Sequence, residues 1–275
     1  MRPSINVACI QFEPVINEPA KNLISMETKI RAAQAQGANV VVLPELADSG
    51  YVFADAAELA RLAQPIPGGE SATRLIALAR ELQVYIVSGL AERDGDRFYN
   101  AAIICGPQGY IGTYRKLHLW DEENRFFQKG DLGLPVFDTP IGKIGVAICY
   151  DGWFPETFRQ LTLKGAELVC VPTNWVPMPG NDRQAETMAH VLHKAGAHSN
   201  GIFIACADRV GIERGQPFLG RSFIVGPEGW PIAGPASDTD EETLIATISL
   251  DDIAKTREIN AFNHVLASRR ADVYG

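Results

Sequence analysis

The chain has 275 residues, 46% of them hydrophobic and 21% charged, which is enough to bury a substantial core and typical of a globular protein. Its 25 basic and 33 acidic side chains give a formal charge of −8 without a long basic run, which argues against a nucleic-acid partner. No apolar run approaches the roughly 20 residues that span a bilayer, so no membrane association is expected.

The cysteines indicate a reducing compartment. They number five, an odd count without paired spacings, and four of them lie inside apolar runs: Cys9, Cys105, Cys170 and Cys206. The N-terminus lacks the charged segment, apolar stretch and small-residue cleavage site of a signal peptide, so none is expected. We therefore expect a cytoplasmic protein.

The first half of the chain alternates strand and helix patterns. "INVACIQF" alternates like a strand with one face more buried, and the segment from Glu18 to Gln36 has apolar residues at helical spacing and stops at Gly37. Next come the strand "NVVVLPE" and a helix opened by Ser71. Three strand patterns follow: "VYIVSGL", "FYNAAIICG" and "GYIGTYR".

After a long loop from Leu117 to Pro135 the same order returns. A strand that ends at Cys149 leads into a helix with Pro155 near its first turn. The strand "ELVCVPTNW", a helix from about Asp182, and the strands "GIFIACAD" and "RSFIVGPEGWPI" complete the series.

Two segments of the first half resemble segments of the second. "GANVVVLPE" resembles "GAELVCVPT", and "AAIICGPQGYI" resembles "RSFIVGPEGWPI". One pair alone would show only that helix–strand units look alike, but two pairs in the same order favour two similar sheet-and-helix halves. With the sheets face to face and the helices outside, they form a four-layer α/β sandwich. The chemistry of such folds gathers in loops beyond the strand ends.

Glu45 and Lys116 stand at two such strand ends. Glu45 follows an apolar strand and Pro44, where desolvation would raise its pKa as a general base requires, although it could also be a solvated loop glutamate. Lys116 shares a strand face with Tyr114 and would stabilise an oxyanion or a nearby thiolate. The alternative for Lys116 is a surface lysine at a strand end.

Cys149 stands at a third strand end, where "GKIGVAIC" changes abruptly to "YDGWFPE". A cysteine between a strand and a helix is exposed to the positive end of the helix, which favours a nucleophile. The alternative is a small buried residue of the core.

Taken together in their order, "LPE", "YRKLHLW" and "GVAICYDGWFPE" resemble the nitrilase superfamily of carbon–nitrogen hydrolases, and the resemblance extends from "VACIQFEP" to "RRADVYG". It implies one carbon–nitrogen hydrolase domain over residues 1–275, an αββα sandwich, a Glu–Lys–Cys triad without cofactor or metal, and homodimers that extend the sandwich. Relatives also often carry a second glutamate in a segment like "HLWDEENRFFQKG". We assign it to Glu123, with Glu122 as the alternative.

The resemblance also implies roles for these residues. Cys149 attacks the carbonyl carbon, and Glu45 takes the thiol proton and gives it to the leaving nitrogen. Lys116 and the backbone N–H of Tyr150 hold the oxyanion. Water activated by Glu45 hydrolyses the thioester, and Glu123 orients the substrate or the base.

Gly152 and Trp153 depart from the pattern of relatives that bind a substrate carboxylate with arginine at these positions. Neither residue offers guanidinium geometry. Trp153 suggests an apolar or cationic neighbour for the substrate, although it could be a core tryptophan. We therefore expect an amidase acting on a neutral or basic carboxamide. Three further residues at strand ends are expected to form pocket walls: Tyr51, Asn174 and Trp175.

Other functions remain open. The closest alternatives are an N-carbamoyl amino acid amidohydrolase and a dicarboxylic acid monoamide amidase, whereas "CYD" departs from the cysteine-tryptophan-glutamate of true nitrilases. A cysteine–histidine hydrolase would use His118 as base. A zinc site would need the three histidines His190, His193 and His198. A binding module that has lost its chemistry is the last possibility.

Overall fold

The computed structural model describes residues 2–178, 180 and 186–274. The strands of the described residues are β1 Ile5–Gln11, β2 Val40–Val42, β3 Tyr85–Asp94, β4 Arg97–Gly106, β5 Gly109–Arg115, β6 Val136–Thr139, β7 Gly142–Val146, β8 Leu168–Pro172, β9 Phe203–Ala207, β10 Ile212–Glu213, β11 Gln216–Pro217, β12 Phe223–Val225, β13 Pro231–Ala233, β14 Glu242–Ile248, β15 Glu258–Asn260 and β16 Asn263–His264. The helices are α1 Pro19–Ala35, α2 Ala56–Leu62, α3 Glu70–Leu82, α4 Glu123–Phe126, α5 Pro155–Leu163, α6 Met188–Asn200, α7 Asp252–Arg257 and α8 Ala271–Tyr274. None of these helices is long and apolar enough to cross a membrane.

Two six-stranded sheets form the centre of the fold. The first has the order β14-β1-β2-β3-β4-β5 and the second the order β13-β12-β9-β8-β7-β6. In the first sheet β1, β2 and β3 are parallel, and β4 and β5 follow antiparallel. In the second sheet β7, β8 and β9 are parallel, and β12 and β13 follow antiparallel. The two halves therefore share one topology, as the repeated segments predict.

Both faces of the sheets are covered. In β1, Val7 and Cys9 belong to the cluster between the sheets, whereas Ala8 and Ile10 pack with apolar residues of α1 and α3. The expected four-layer sandwich is thus present. Because helices cover the outer face, β1 is buried on both sides rather than on one, as is usual for parallel strands.

Two boundaries differ from the sequence prediction, and several elements were not predicted. Strand β7 ends at Val146, three residues before Cys149, because Cys149 already begins a 3-10 turn. Helix α6 begins at Met188, where Thr187 caps its first turn, and the predicted start at Asp182 lies outside the described residues. The elements without a counterpart in the sequence prediction are α2, α4, β6, the hairpin β10–β11, β14, α7, the hairpin β15–β16 and α8.

The topology brings the candidate residues to one edge. Strand β5 runs in the same direction as β2, so Lys116 and Glu45 both follow strand ends at the same edge of the first sheet. The corresponding edge of the second sheet carries Cys149 after β7 and Thr173 after β8. The two edges meet where the backbone N–H of Glu45 donates to the carbonyl of Thr173 at 3.4 Å.

Candidate active site

Glu45 is fixed by its backbone before its side chain makes any contact. Gly89 of β3 lies so close that a Cβ atom there would collide with the backbone of Glu45. The Gly89 N–H donates to the Pro44 carbonyl at 3.0 Å, and the Ala47 N–H donates to the Gly89 carbonyl at 3.0 Å. From the second sheet, the Asn174 side chain donates to the Glu45 carbonyl at 2.8 Å. Both sheets therefore determine where this carboxylate lies.

The Lys116 ammonium lies between two carboxylates. Its Nζ donates to Glu45 Oε1 at 2.6 Å and to Glu123 Oε1 at 2.7 Å. The Lys116 and Glu45 side chains are fully buried, and Glu123 is nearly so. Since a buried charge is costly unless it is paired and hydrogen-bonded, this arrangement holds all three groups in place.

The oxygens of Glu45 differ in their partners. Oε1 accepts hydrogen bonds from Lys116 and, at 2.7 Å, from the Asn100 side chain. Oε2 is buried and has no hydrogen-bond partner among the described residues. Oε2 is therefore the oxygen that remains available to take a proton.

Glu123 is the second acidic residue that contacts the lysine. Besides Lys116, its Oε1 accepts the Tyr51 hydroxyl at 2.6 Å, and its Oε2 accepts the Trp120 N–H at 3.3 Å. Glu122 instead pairs with Arg125 at the surface. Of the two glutamates that the sequence left open, only Glu123 points at the lysine.

Burial and charge adjust the protonation of this group. Burial, partly offset by the charge of Lys116, raises the pKa of Glu45 to about 7. Burial alone would lower the pKa of Lys116, but the charges of Glu123 and Glu45 outweigh it, so the pKa rises and the ammonium is retained. The site thus combines a fixed cation with a carboxyl group that titrates near neutrality.

Cys149 lies at the start of the 3-10 turn Cys149–Trp153 with a φ of 46°, in the left-handed region. Asp151 holds this turn, since its Oδ2 accepts the Ile148 N–H at 3.0 Å and the Tyr114 hydroxyl at 2.6 Å. Burial and the charge of Glu45 raise the pKa of Cys149 well above its ordinary value, although Lys116 acts in the opposite direction. The resting side chain is therefore a thiol that needs a base.

Two adjoining cavities open at this point. The larger, about 420 Å³, is lined by Tyr51, Phe53, Glu123, Phe126 and Arg214, among others. The smaller, about 20 Å³, is lined by Trp120, Cys149, Tyr150, Trp153, Asn174, Trp175, Val176 and Met178. Trp120 and Val176 line both. Of the three residues expected as pocket walls, Tyr51 lines the larger cavity, and Asn174 and Trp175 line the smaller one together with Tyr150 and Trp153.

His118 is engaged elsewhere. Its Nδ1 lies 2.7 Å from Asp151 Oδ1, and its ring stacks on Phe154 with centroids 3.7 Å apart. It does not line either cavity. The geometry gives His118 a role in holding the turn and does not support its use as base.

The three histidines of the hypothetical zinc site do not converge. His190 and His193 each lie within hydrogen-bond distance of a carbonyl, that of Arg221 at 2.9 Å and that of Ala189 at 2.7 Å. His198 lies 3.0 Å from the Glu228 carbonyl. Among the described residues, no group of three or more histidine, cysteine, aspartate or glutamate side chains is arranged to hold a metal ion.

Sequence reasoning missed two contributors. Asn100 stabilises the charged form of Glu45, and its signal was a polar residue inside the apolar strand "FYNAAIICG". His193 lies directly behind Gly152, so close that a Cβ atom at residue 152 would overlap its ring. No sequence signal links Gly152 to His193, because their contact joins two elements that are distant in the chain.

The chain resembles known proteins over almost its whole length. The sequence model of a family described as carbon-nitrogen hydrolase matches residues 6–258. A protein of Pyrococcus abyssi named nitrilase is 44% identical over 270 residues, covering 98% of this chain and 99% of that protein. The N-carbamoylputrescine amidase of Solanum lycopersicum is 35% identical over 287 residues, covering 98% of this chain and 93% of that protein.

The fold is also similar to a solved structure. The crystal structure of a carbon-nitrogen hydrolase from Helicobacter pylori G27 superposes with a TM-score of 0.88 at 28% sequence identity. The match covers 98% of this chain and 97% of that chain.

Proposed function

This chain belongs to the carbon–nitrogen hydrolase family and so hydrolyses carbon–nitrogen bonds, and we propose that it is an amidase of neutral or basic carboxamides. The observation that carries the proposal is the pair of buried ion pairs that Lys116 forms with Glu45 and Glu123, near Cys149. An amide is a poor electrophile with a poor leaving group. Its hydrolysis needs a nucleophile, a base that also acts as acid, and a fixed cation near the developing oxyanion.

In the proposed acylation step, Glu45 Oε2 takes the thiol proton of Cys149 and the sulfur bonds to the carbonyl carbon. The oxyanion that forms is held by the Lys116 ammonium and the backbone N–H of Tyr150. Glu45 then gives its proton to the amide nitrogen, and the carbon–nitrogen bond breaks. Ammonia departs, and the acyl group remains bound to Cys149 as a thioester. Glu123 holds Lys116 and orients the amide.

In the proposed deacylation step, water enters the place of ammonia. Glu45 takes a proton from this water, and the oxygen bonds to the thioester carbon. The carbon–sulfur bond breaks, the carboxylic acid leaves, and the proton returns to Cys149. A carboxyl group that titrates near neutrality suits both transfers, because it gives and takes a proton with similar ease.

The lining of the larger cavity supports the choice of substrate. Its charged residues are Asp121, Glu122, Glu123 and Arg214. The one cation among them is already bound, since Arg214 donates to both oxygens of Glu58 at 2.6 and 2.8 Å. A substrate carboxylate would meet like charges and, among the described residues that line this cavity, no free guanidinium, whereas a neutral or cationic group would not meet like charges.

The turn beside Cys149 supports the same choice. At Gly152 there is no room for any side chain because the His193 ring fills the space, so no arginine can extend from this position to hold a substrate carboxylate. Trp153 lines the smaller cavity and packs against Tyr150 with ring centroids 5.8 Å apart. An apolar wall therefore replaces an anion clamp.

The proposal extends to location and assembly. The five cysteines are all free and buried, which supports a cytoplasmic location.

Four large apolar side chains are exposed in the C-terminal segment of residues 258–274: Ile259, Phe262, Val273 and Tyr274. We assign this surface to a second copy of the chain in a homodimer, because apolar groups so exposed on one short segment are typical of an interface.

The function is tested by ammonia release from matched substrates. The panel holds neutral, cationic and acidic carboxamides of similar size, N-carbamoylputrescine, an N-carbamoyl amino acid and a nitrile. We expect the neutral or cationic carboxamides to have a kcat/KM about a hundredfold above that of the acidic ones, and Cys149→Ala to release no ammonia. A preference for the acidic carboxamide, the carbamoyl compounds or the nitrile would reject the proposal in favour of that class.

A further inference from the structure

The hairpin β10–β11 holds the loop that carries Tyr51. The Glu213 carboxylate, only 4% exposed, accepts the backbone N–H groups of Tyr51 and Val52 on one oxygen, at 2.7 and 2.6 Å. Two charge-assisted hydrogen bonds to consecutive N–H groups fix both the position and the direction of the backbone at this point.

Arg209 completes this anchor from the other side. Its Nη1 donates to Glu213 Oε2 at 2.8 Å, and its Nη2 donates to the Pro14 carbonyl at 3.0 Å. The guanidinium lies over the ring of Phe218 at 4.1 Å, and this ring meets that of Tyr51 edge-on at 5.8 Å. The backbone and the ring of Tyr51 are therefore held by the same group of residues.

Such a buried ion pair is seldom the cheapest way to stabilise a fold, since apolar residues of similar volume do as well or better. Close approach is enforced here: at Gly50, whose φ is 83°, a Cβ atom would lie 2.9 Å from Glu213 Oε2 and 2.6 Å from the Ile16 Cα. The Glu213 carboxylate is therefore in direct contact with the loop that carries Tyr51, which suggests that it holds Tyr51 in position.

The hydroxyl of Tyr51 contacts Glu123, the carboxylate that pairs with Lys116. The hydroxyl donates at 2.6 Å to Glu123 Oε1, the same oxygen that accepts the Lys116 ammonium at 2.7 Å. Burial keeps this hydroxyl protonated, since it raises the pKa of Tyr51 well above its ordinary value. Tyr51 is therefore a fixed donor that determines the direction of the Glu123 carboxylate.

We propose that Glu213 is a positioning residue for the reaction: it holds the Tyr51 backbone so that the Tyr51 hydroxyl orients Glu123, and through Glu123 the Lys116 ammonium. This inference rests on the function proposed above, in which Lys116 stabilises the oxyanion. Glu213 itself does not contact the substrate or the triad. Its effect on the reaction passes through Tyr51.

The test is a double-mutant cycle on kcat, measured per titrated Cys149 thiol. Tyr51→Phe removes only the hydroxyl and should lower kcat tenfold to a hundredfold, as expected for one lost charge-assisted hydrogen bond, with KM changed less than threefold. Glu213→Asp keeps the charge for Arg209 but is too short to reach both partners, and should lower kcat to a similar extent. The double variant should be no slower than the slower single variant, whereas losses that multiply would overturn the proposal.

Ser49→Ala is the matched control. The Ser49 hydroxyl donates to the Gly50 carbonyl at 3.0 Å in the same loop, but it has no path to Glu123 and lines neither cavity. Its kcat should stay within threefold of the unaltered protein. A loss as large as that of Glu213→Asp would show that any loosening of the loop has the same effect, and would reject a specific role for Glu213.

A crystal structure of Glu213→Asp tests the relay even if the protein hydrolyses none of the amides in the panel. The Tyr51 hydroxyl should move out of hydrogen-bond distance of Glu123. An unchanged 2.6 Å contact would overturn the proposal irrespective of the reaction. If Glu213→Asp does not fold, Tyr51→Phe alone decides, since an unchanged kcat would remove the last link of the relay.

Discussion

Glu45, the proposed base, shows how the fold shifts the pKa of an ordinary carboxyl group. Burial favours its neutral form, while Lys116 and Asn100 stabilise its charged form through Oε1. The opposing effects leave its pKa at about 7, where a carboxyl group both takes and gives protons at neutral pH. Oε2, without a partner among the described residues, is left for the reaction.

At the residue scale we expect Glu45 and His118 to differ sharply on substitution. Glu45→Gln keeps the size of the side chain but removes proton transfer, so kcat should fall roughly 10²-fold or more. His118→Asn should cost far less, because His118 only supports Asp151 and Phe154. Steady-state kinetics of the two purified variants give the ranking, and the opposite ranking would identify a cysteine–histidine enzyme.

The pH profile of the unaltered enzyme is the control for this assignment. Burial raises the pKa of Glu45, so its carboxylate is present above about pH 7 and lost below it. Since the base must be deprotonated to accept the thiol proton, kcat/KM should rise with pH through a limb near 7. A limb that persists near pH 7 in the residual activity of Glu45→Gln would assign it to another group.

At the scale of elements, the 3-10 turn Cys149–Trp153 depends on its packing against α6. Gly152 lies against His193, whose neutral ring is fully buried and whose pKa is lowered by burial to about 4. The His193 ring also contacts Trp153 and Trp175 edge-on, with centroids 6.3 and 5.1 Å apart. Helix α6 thus supports the residues that line the smaller cavity and positions the turn that carries Cys149.

We therefore expect Gly152→Ala to be poorly tolerated. One added methyl group in a fully packed site typically costs about 1–3 kcal/mol, and here it would also displace the turn with Cys149. Chemical denaturation should show the loss of stability, and kcat should fall with it. Adding His193→Ala should restore part of both, because it removes the ring that the methyl group strikes; a double variant as impaired as the sum of the single variants would refute this explanation.

At the scale of the whole molecule, the candidate active site lies between the two similar halves. Glu45, Lys116 and Glu123 belong to the first half of the chain, and Cys149 and Asn174 to the second. Contacts between Glu45 and the segment after β8 hold the proposed base against the sheet that carries the proposed nucleophile. Neither half contains a complete site, so the reaction requires the sandwich to be assembled.

The proposed homodimer is tested at this scale. Phe262 is 92% exposed in the C-terminal segment, so Phe262→Asp should shift the mass measured by light scattering after gel filtration from dimer to monomer. Ile24→Asp is the matched control, since Ile24 is also exposed but lies on α1. An unaltered protein that is monomeric at micromolar concentration would disprove the assignment of this surface.

The sequence alone predicted two similar sheet-and-helix halves and the candidate chemistry, but neither the strand order nor the edge strand β14. Apolar strands and amphipathic helices repeat in one order in both halves, and the period of each pattern depends only on local geometry. Glu45, Lys116 and Cys149 were recognisable because each follows such a strand within a known motif. Local pattern and motif order were sufficient for these features.

The arrangement of these residues depends on tertiary contacts that no local pattern predicts. In the folded protein Glu123, not Glu122, pairs with Lys116, and Asn100 donates to Glu45. The His193 ring lies against Gly152, and Glu213 accepts the Tyr51 N–H. Each of these relations joins residues that hydrophobic period and local propensity leave independent. The charges of buried neighbours then set the pKa values, and those neighbours are known only when the two sheets are packed together.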